Sequence, residues 1–99
     1  MVNVLLCCAS GMSTSLLVEK MQRAANEKGI DVHIWAVNAN EISEQVKKAD
    51  VVLLGPQARY ARDQIMKFVG DTPCELISMR DYGMMDGESV LEHALSLIQ

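Results

Sequence analysis

The amino-acid sequence predicts a small α/β domain in three layers, with helices covering both faces of a four-stranded parallel sheet. The expected strand order is 2-1-3-4, as in flavodoxin-like folds. Short, almost continuous apolar runs at residues 4–6 and 51–54 read as strands buried on both faces, which is typical of parallel sheets. Segments of helical periodicity separate these runs, and turn residues such as Gly29, Gly55-Pro56 and Gly70-Asp71-Thr72-Pro73 punctuate them. Strands alternating with helices require right-handed crossovers, hence parallel pairing. Ninety-nine residues, 49% of them hydrophobic, suit one core, so residues 1–99 read as a single domain.

Taken in order, Val2, Val4, Leu5 and Leu6 open a first strand that runs to Cys8. Leu17, Met21, Ala24 and Lys28 then recur at helical spacing, with Leu16 and Ala25 widening the stripe and Ser13 as the candidate N-cap. Glu19 and Arg23, four apart on the solvent side, can pair. Gly29 suits the C′ position, and residues 31–37 read as a second strand. Asn38, Ala39 and Asn40 form a turn, with Asn40 capping a short helix over residues 41–48 whose Ile42 and Val46 face inward. Residues 50–54 are a third strand, stopped by Gly55-Pro56. Residues 58–69 are helical, with Ala61, Ile65 and Phe68 on one face and Arg59 and Asp63 outside. Residues 74–77 form a fourth strand and residues 81–87 a loop. A last amphipathic helix carries Val90, Leu91, Ala94, Leu95 and Ile98.

Composition excludes several function classes. A net charge of −4 and a pI near 5.0 run against a nucleic-acid or anionic-membrane surface. One Trp, two Tyr and one Phe offer little for base stacking. Three cysteines, two of them adjacent, are no disulfide framework and point to reduced cytosolic thiols. The apolar start lacks the basic region of a signal peptide, and no run reaches the roughly 20 apolar residues of a membrane span. A cytoplasmic chain without direct membrane insertion is therefore expected. Cys7, Cys8, Cys74, His33 and His93 show no metal-ligand spacing, and both histidines read as surface residues. No metal and no cofactor are expected. Walker A, dinucleotide and Cys-x-x-Cys patterns are all missing.

The informative stretch is the passage from strand to helix at Cys8. It places a thiol at the carboxyl end of a strand, beneath a helix N-terminus whose unpaired N–H groups and partial positive charge favour an anion. The same field lowers a thiol's pKa and favours the nucleophilic thiolate. Gly11 permits close approach of the backbone, and Ser10, Ser13, Thr14 and Ser15 bring hydroxyls. Ala9, Ser10, Gly11, Met12, Ser13, Thr14 and Ser15 thus read as a loop holding a phosphoryl group on Cys8. In doubly wound sheets ligands bind beyond the carboxyl ends of strands, so the loops at residues 8–15, 55–58 and 78–87 are expected to meet. Cys7 should point to the opposite side of the strand from Cys8, and Cys7 and Cys74 both read as core residues.

A tyrosine-phosphatase loop would carry an Arg where this chain has Thr14, and the first basic residue anywhere is Lys20. Without a guanidinium to clamp the phosphate, a phosphocysteine should hydrolyse slowly, as a relay requires. Asp81 or Asp86 could still serve as the acid of a hydrolase. A low-molecular-weight phosphatase or arsenate-reductase-like enzyme therefore remains an alternative, as does a regulatory module that merely binds an anion.

The segment Cys8-Ala9-Ser10-Gly11-Met12-Ser13-Thr14-Ser15-Leu16-Leu17 resembles the phosphorylation loop of the enzyme IIB components of the bacterial sugar phosphotransferase system, lactose/cellobiose/chitobiose class. Val51-Val52-Leu53-Leu54-Gly55-Pro56-Gln57 and Tyr82-Gly83-Met84-Met85-Asp86-Gly87 resemble later segments of the same family, in order and at compatible spacing. The resemblance implies a cytoplasmic phosphocarrier whose active cysteine is Cys8, not Cys7. It implies a IIA protein as phosphohistidine donor and a sugar of the cellobiose, chitobiose or lactose type, imported by the membrane IIC protein, as acceptor. Docking on IIC would bring the chain transiently to the inner face of the membrane. Gln57 and Tyr82 are candidate contacts for substrate or partner. The Cys7-Cys8 pair is a mild departure from the family pattern, and adjacent cysteines bridge only with strain.

Overall fold

The structure, a computed structural model, describes residues 1–8, 11–38, 41–55 and 62–98, with the backbone alone described at residues 8 and 11–14. Four strands, β1 (Val2–Cys8), β2 (Val32–Asn38), β3 (Val51–Leu54) and β4 (Cys74–Leu76), form one parallel sheet in the order β2-β1-β3-β4, as the sequence predicts. Between them run α1 (Gly11–Lys28), α2 (Ile42–Gln45) with a 3₁₀ turn at Val46–Lys48, and α3 (Arg62–Val69). After β4 come α4 (Met79–Gly83) and α5 (Gly87–Leu97).

Alternation along β1 divides the core in two. Val4 and Leu6 pack with Val51 and Leu53 under Leu17, Met21 and Ala25 of α1 and Leu91 and Ala94 of α5. Leu5 and Cys7 pack on the other face with Val52 and Leu54 against Ile42, Val46, Ile65 and Val69. Cys7 and Cys74 are both buried, as expected. Gly29, at φ +70°, ends α1 as its C′ residue, and Lys28 just before it bonds Glu92 of α5 at 2.6 Å. Glu19 and Arg23 pair at 3.6 Å. His33 is exposed and stacks on Trp35, their ring centroids 5.0 Å apart.

Several sequence expectations change. α1 begins at Gly11, so Ser13 lies inside its first turn rather than at the N-cap. Leu16 is exposed, because Leu17, Met21, Ala24 and Ala25 already fill the face that α1 turns to the sheet. Glu41 holds the N-cap of α2 without a side-chain cap, and Asn40 lies outside the described residues. Phe68 is 53% exposed, since Ile65 and Val69, four apart, occupy the inward stripe of α3. Ala61 and Arg59 lie outside the described residues.

Of the expected loop over residues 81–87 only 84–86 is a turn, because 81–83 belong to α4 and Gly87 opens α5. Ser78 caps α4 by accepting a bond from the Asp81 N–H at 3.0 Å, and the chain then turns through Met85 at φ +51°. Asp86 caps α5 through the Ser89 N–H at 3.1 Å. Both are short polar residues whose oxygen meets the amide three positions on.

Candidate functional site

β1 lies inside the sheet, and in an all-parallel sheet the carboxyl ends of its neighbours point the same way as its own. The register sets Cys7 beside Val37 and Leu54, and Leu54 beside Leu76. The Gly55 N–H continues the ladder to the Cys7 carbonyl at 2.8 Å, and the Ile77 N–H continues it to the Leu54 carbonyl at 2.8 Å. The segments after β1, β3 and β4 therefore leave the sheet along one edge, with strands about 4.8 Å apart. Cys8 is the last residue of β1, and only residues 9 and 10 separate it from α1.

That geometry puts the N-terminus of an 18-residue helix directly after the cysteine. Such a terminus carries about half a positive charge and several unpaired N–H groups. No acidic residue stands in the first turn of α1 to cancel that field. An anion held there would meet oriented amides, which is the chemistry of phosphate cradles.

Of the residues read from the sequence, Gly11, Met12, Ser13 and Thr14 form the start of α1, and Ser15 follows them, exposed. Ala9, Ser10 and Gln57 lie outside the described residues. Tyr82 is only 7% exposed and belongs to the core cluster on the α1 and α5 side of the sheet, so little of its ring is open to a ligand. Asn38 escaped the sequence reading as anything but a turn residue. In the register it pairs with Cys8 itself, a neighbour that no sequence pattern discloses.

The remaining titratable groups of interest are held by structure. Burial pushes the Cys74 thiol up, against a smaller opposing pull from Arg62. The Asp86 carboxyl is held below the usual carboxylate range, first by the Ser89 N–H and then by the Ser89 hydroxyl at 2.9 Å. A carboxylate stabilised in its ionised form is a poor proton donor at neutral pH. Among the described residues no group of three or more His, Cys, Asp or Glu is arranged to hold a metal ion. No described helix is long and apolar enough to cross a membrane.

Comparison with known proteins adds to this geometry. Residues 3–93 match the family described as "PTS system, Lactose/Cellobiose specific IIB subunit". The chain is 44% identical to the PTS system oligo-beta-mannoside-specific EIIB component of Bacillus subtilis (strain 168), across 99% of this chain and 97% of that protein. It is 42% identical to the cellobiose-specific EIIB component of Lactococcus lactis subsp. lactis (strain IL1403), across 96% and 94% of the two chains. Among solved structures, the cellobiose-specific phosphotransferase IIB component from Borrelia burgdorferi superposes with a TM-score of 0.84 at 39% identity, covering 98% of this chain and 91% of that one. The lactose-specific IIB domain from Streptococcus pneumoniae also reaches a TM-score of 0.84, covering 99% and 98% of the two chains; at 17% identity it bears on the fold alone.

Proposed function

The chain belongs to the lactose/cellobiose-specific IIB family of the sugar phosphotransferase system, and from that premise we propose that it is a phosphocysteine carrier with Cys8 as its acceptor. One observation supports this reading above the others: Cys8 ends an interior strand two residues ahead of a long helix, at the edge where three loops leave the sheet.

Two in-line transfers make up the reaction. In the first, the Cys8 thiolate attacks the phosphorus of a phosphohistidine on the IIA protein. An S–P bond forms, the P–N bond breaks, and the imidazole leaves with its electron pair. In the second, a sugar hydroxyl delivered by the membrane IIC protein attacks the same phosphorus, and the thiolate departs as the hydroxyl loses its proton. The amides at the start of α1, with the hydroxyls of Ser10, Ser13, Thr14 and Ser15, bind the equatorial oxygens of each transition state. Positioning and electrostatic stabilisation carry most of the acceleration in phosphoryl transfer. The sugar is of the cellobiose, chitobiose or lactose type, and two of the relatives are named for cellobiose and oligo-beta-mannoside.

The test is intact-protein mass spectrometry after incubation with phosphoenolpyruvate, the general phosphotransferase proteins and IIA, followed by peptide mapping. One phosphoryl group should appear on Cys8, and Cys8→Ser should abolish both the adduct and sugar phosphorylation while keeping the fold. A Cys8→Ser variant that still relays phosphate to sugar refutes the proposal.

A further inference from the structure

We infer that Asn38 is a phosphoryl-binding residue, its side-chain amide holding the group that Cys8 carries; this rests on the carrier reading above. The two strands flanking the end of β1 contribute unequally. On the β3 side the paired register stops at Leu54 beside Cys7, and the next residue, Gly55, has no side chain. On the β2 side Cys8 pairs with Asn38, which is exposed at the end of its strand. Adjacent strands lie about 4.8 Å apart, so a substituent on Cys8 comes within reach of an amide on its register partner.

The chemistry fits as well as the placement. The residues from Cys8 to Glu19 contain no lysine or arginine, so a phosphate there depends on neutral donors. Asn38 supplies two N–H bonds from one amide. That amide already addresses an anion: its Nδ2 donates to the Glu41 carboxylate at 3.4 Å, a long bond at an exposed position. A phosphoryl dianion beside Cys8 is the stronger acceptor. On phosphorylation the amide exchanges Glu41 for a phosphoryl oxygen, and on release of phosphate it returns.

The experiment follows the S–P bond in the full chain. Wild type, Asn38→Ala and Asn38→Asp are phosphorylated through the phosphoenolpyruvate cascade, the donors are removed, and the phosphorylated fraction is followed by intact mass. Thermal melts check that both variants keep the fold. With the bond made to the resting phosphocysteine and given up as the S–P bond breaks, losing it should shorten the lifetime of phosphorylated Asn38→Ala about tenfold, equivalent to about 1.4 kcal/mol. Asn38→Asp, which sets a like charge against the phosphate, should lose more. The Asn38 side-chain amide resonance of the wild type should also move on phosphorylation. If both variants keep phosphate as long as wild type does, the Asn38 assignment falls and the carrier reading stands. If wild type takes no phosphate at Cys8, both fall.

Discussion

Gly87→Ala tests the packing that seats α1. Gly87 is the first residue of α5, and it lies buried against the middle of α1. A methyl group built there would stand 2.6 Å from the Lys20 carbonyl carbon, 2.7 Å from the Met21 nitrogen and 2.8 Å from Lys20 Cβ. The first two are backbone atoms, about 1 Å inside the roughly 3.5 Å at which such atoms rest, so no side-chain rotation relieves them. One helix must slide. Overpacking of this kind costs about 1–3 kcal/mol, while the higher helix propensity of Ala returns at most about 1 kcal/mol and less at a first position. The net loss, about 1–2 kcal/mol, corresponds to a fall in Tm of about 5–15 °C for a domain of this length. Gly83→Ala is the control, because nothing lies within 4 Å of a Cβ at Gly83 and its φ is not positive. It should leave stability unchanged or raise it by up to about 1 kcal/mol. Urea and thermal melts of the two variants side by side decide the matter. A Gly87→Ala protein as stable as wild type would refute the close α1–α5 approach.

Other outcomes follow from the same structure. Asp86 has a depressed pKa when folded, so its contribution is present above the unfolded carboxylate value near pH 4 and fades as pH falls through the lower folded value. Asp86→Ala should therefore melt below wild type at pH 7, with the gap closing in strong acid; a gap that widens in acid contradicts the assignment. Brief treatment with iodoacetamide should label Cys8 well before Cys7 and Cys74, which are buried, and peptide mapping that finds Cys74 labelled first would overturn the proposed order. With p-nitrophenyl phosphate at neutral pH the chain should show no catalytic release, whereas sustained turnover would favour the hydrolase alternative.

The sheet was legible because its strands announce themselves. The runs at residues 4–6 and 51–54 are apolar at every position, as interior parallel strands are, and the order 2-1-3-4 is the one flavodoxin-like folds give to such an alternation. Helix faces were read less well. Leu16 and Phe68 are as apolar as their buried neighbours, and only the placement of α1 and α3 on the sheet decides which side is covered. The 81–87 region misled because Gly83 and Gly87 look like loop residues. Gly83 ends a short helix capped by Ser78, and Gly87 is small because another helix crosses it. Tyr82 read as a candidate contact for the same reason: a supposed loop gave no hint that its side chain is buried in the core. At the candidate site the Cys8–α1 junction was visible as a motif. The Asn38 pairing was not, since register between strands 30 residues apart leaves no local signature.

Whether a cysteine-bound phosphoryl group is stored or hydrolysed depends on the groups around it. Hydrolysis at neutral pH calls for a guanidinium to gather charge in the transition state and an acid or base to move a proton. The position a phosphatase would give to Arg holds Thr14, and of the two candidate acids Asp86 spends its carboxylate on the α5 cap, ionised and bonded to Ser89. Neutral amides and hydroxyls at a helix end bind a phosphate without activating water against it. On the carrier reading, the proton must then leave the sugar hydroxyl toward a base on the docked transporter. On that reading chemistry proceeds only when the partner is in place, and the phosphoryl group waits on Cys8 without being lost to water.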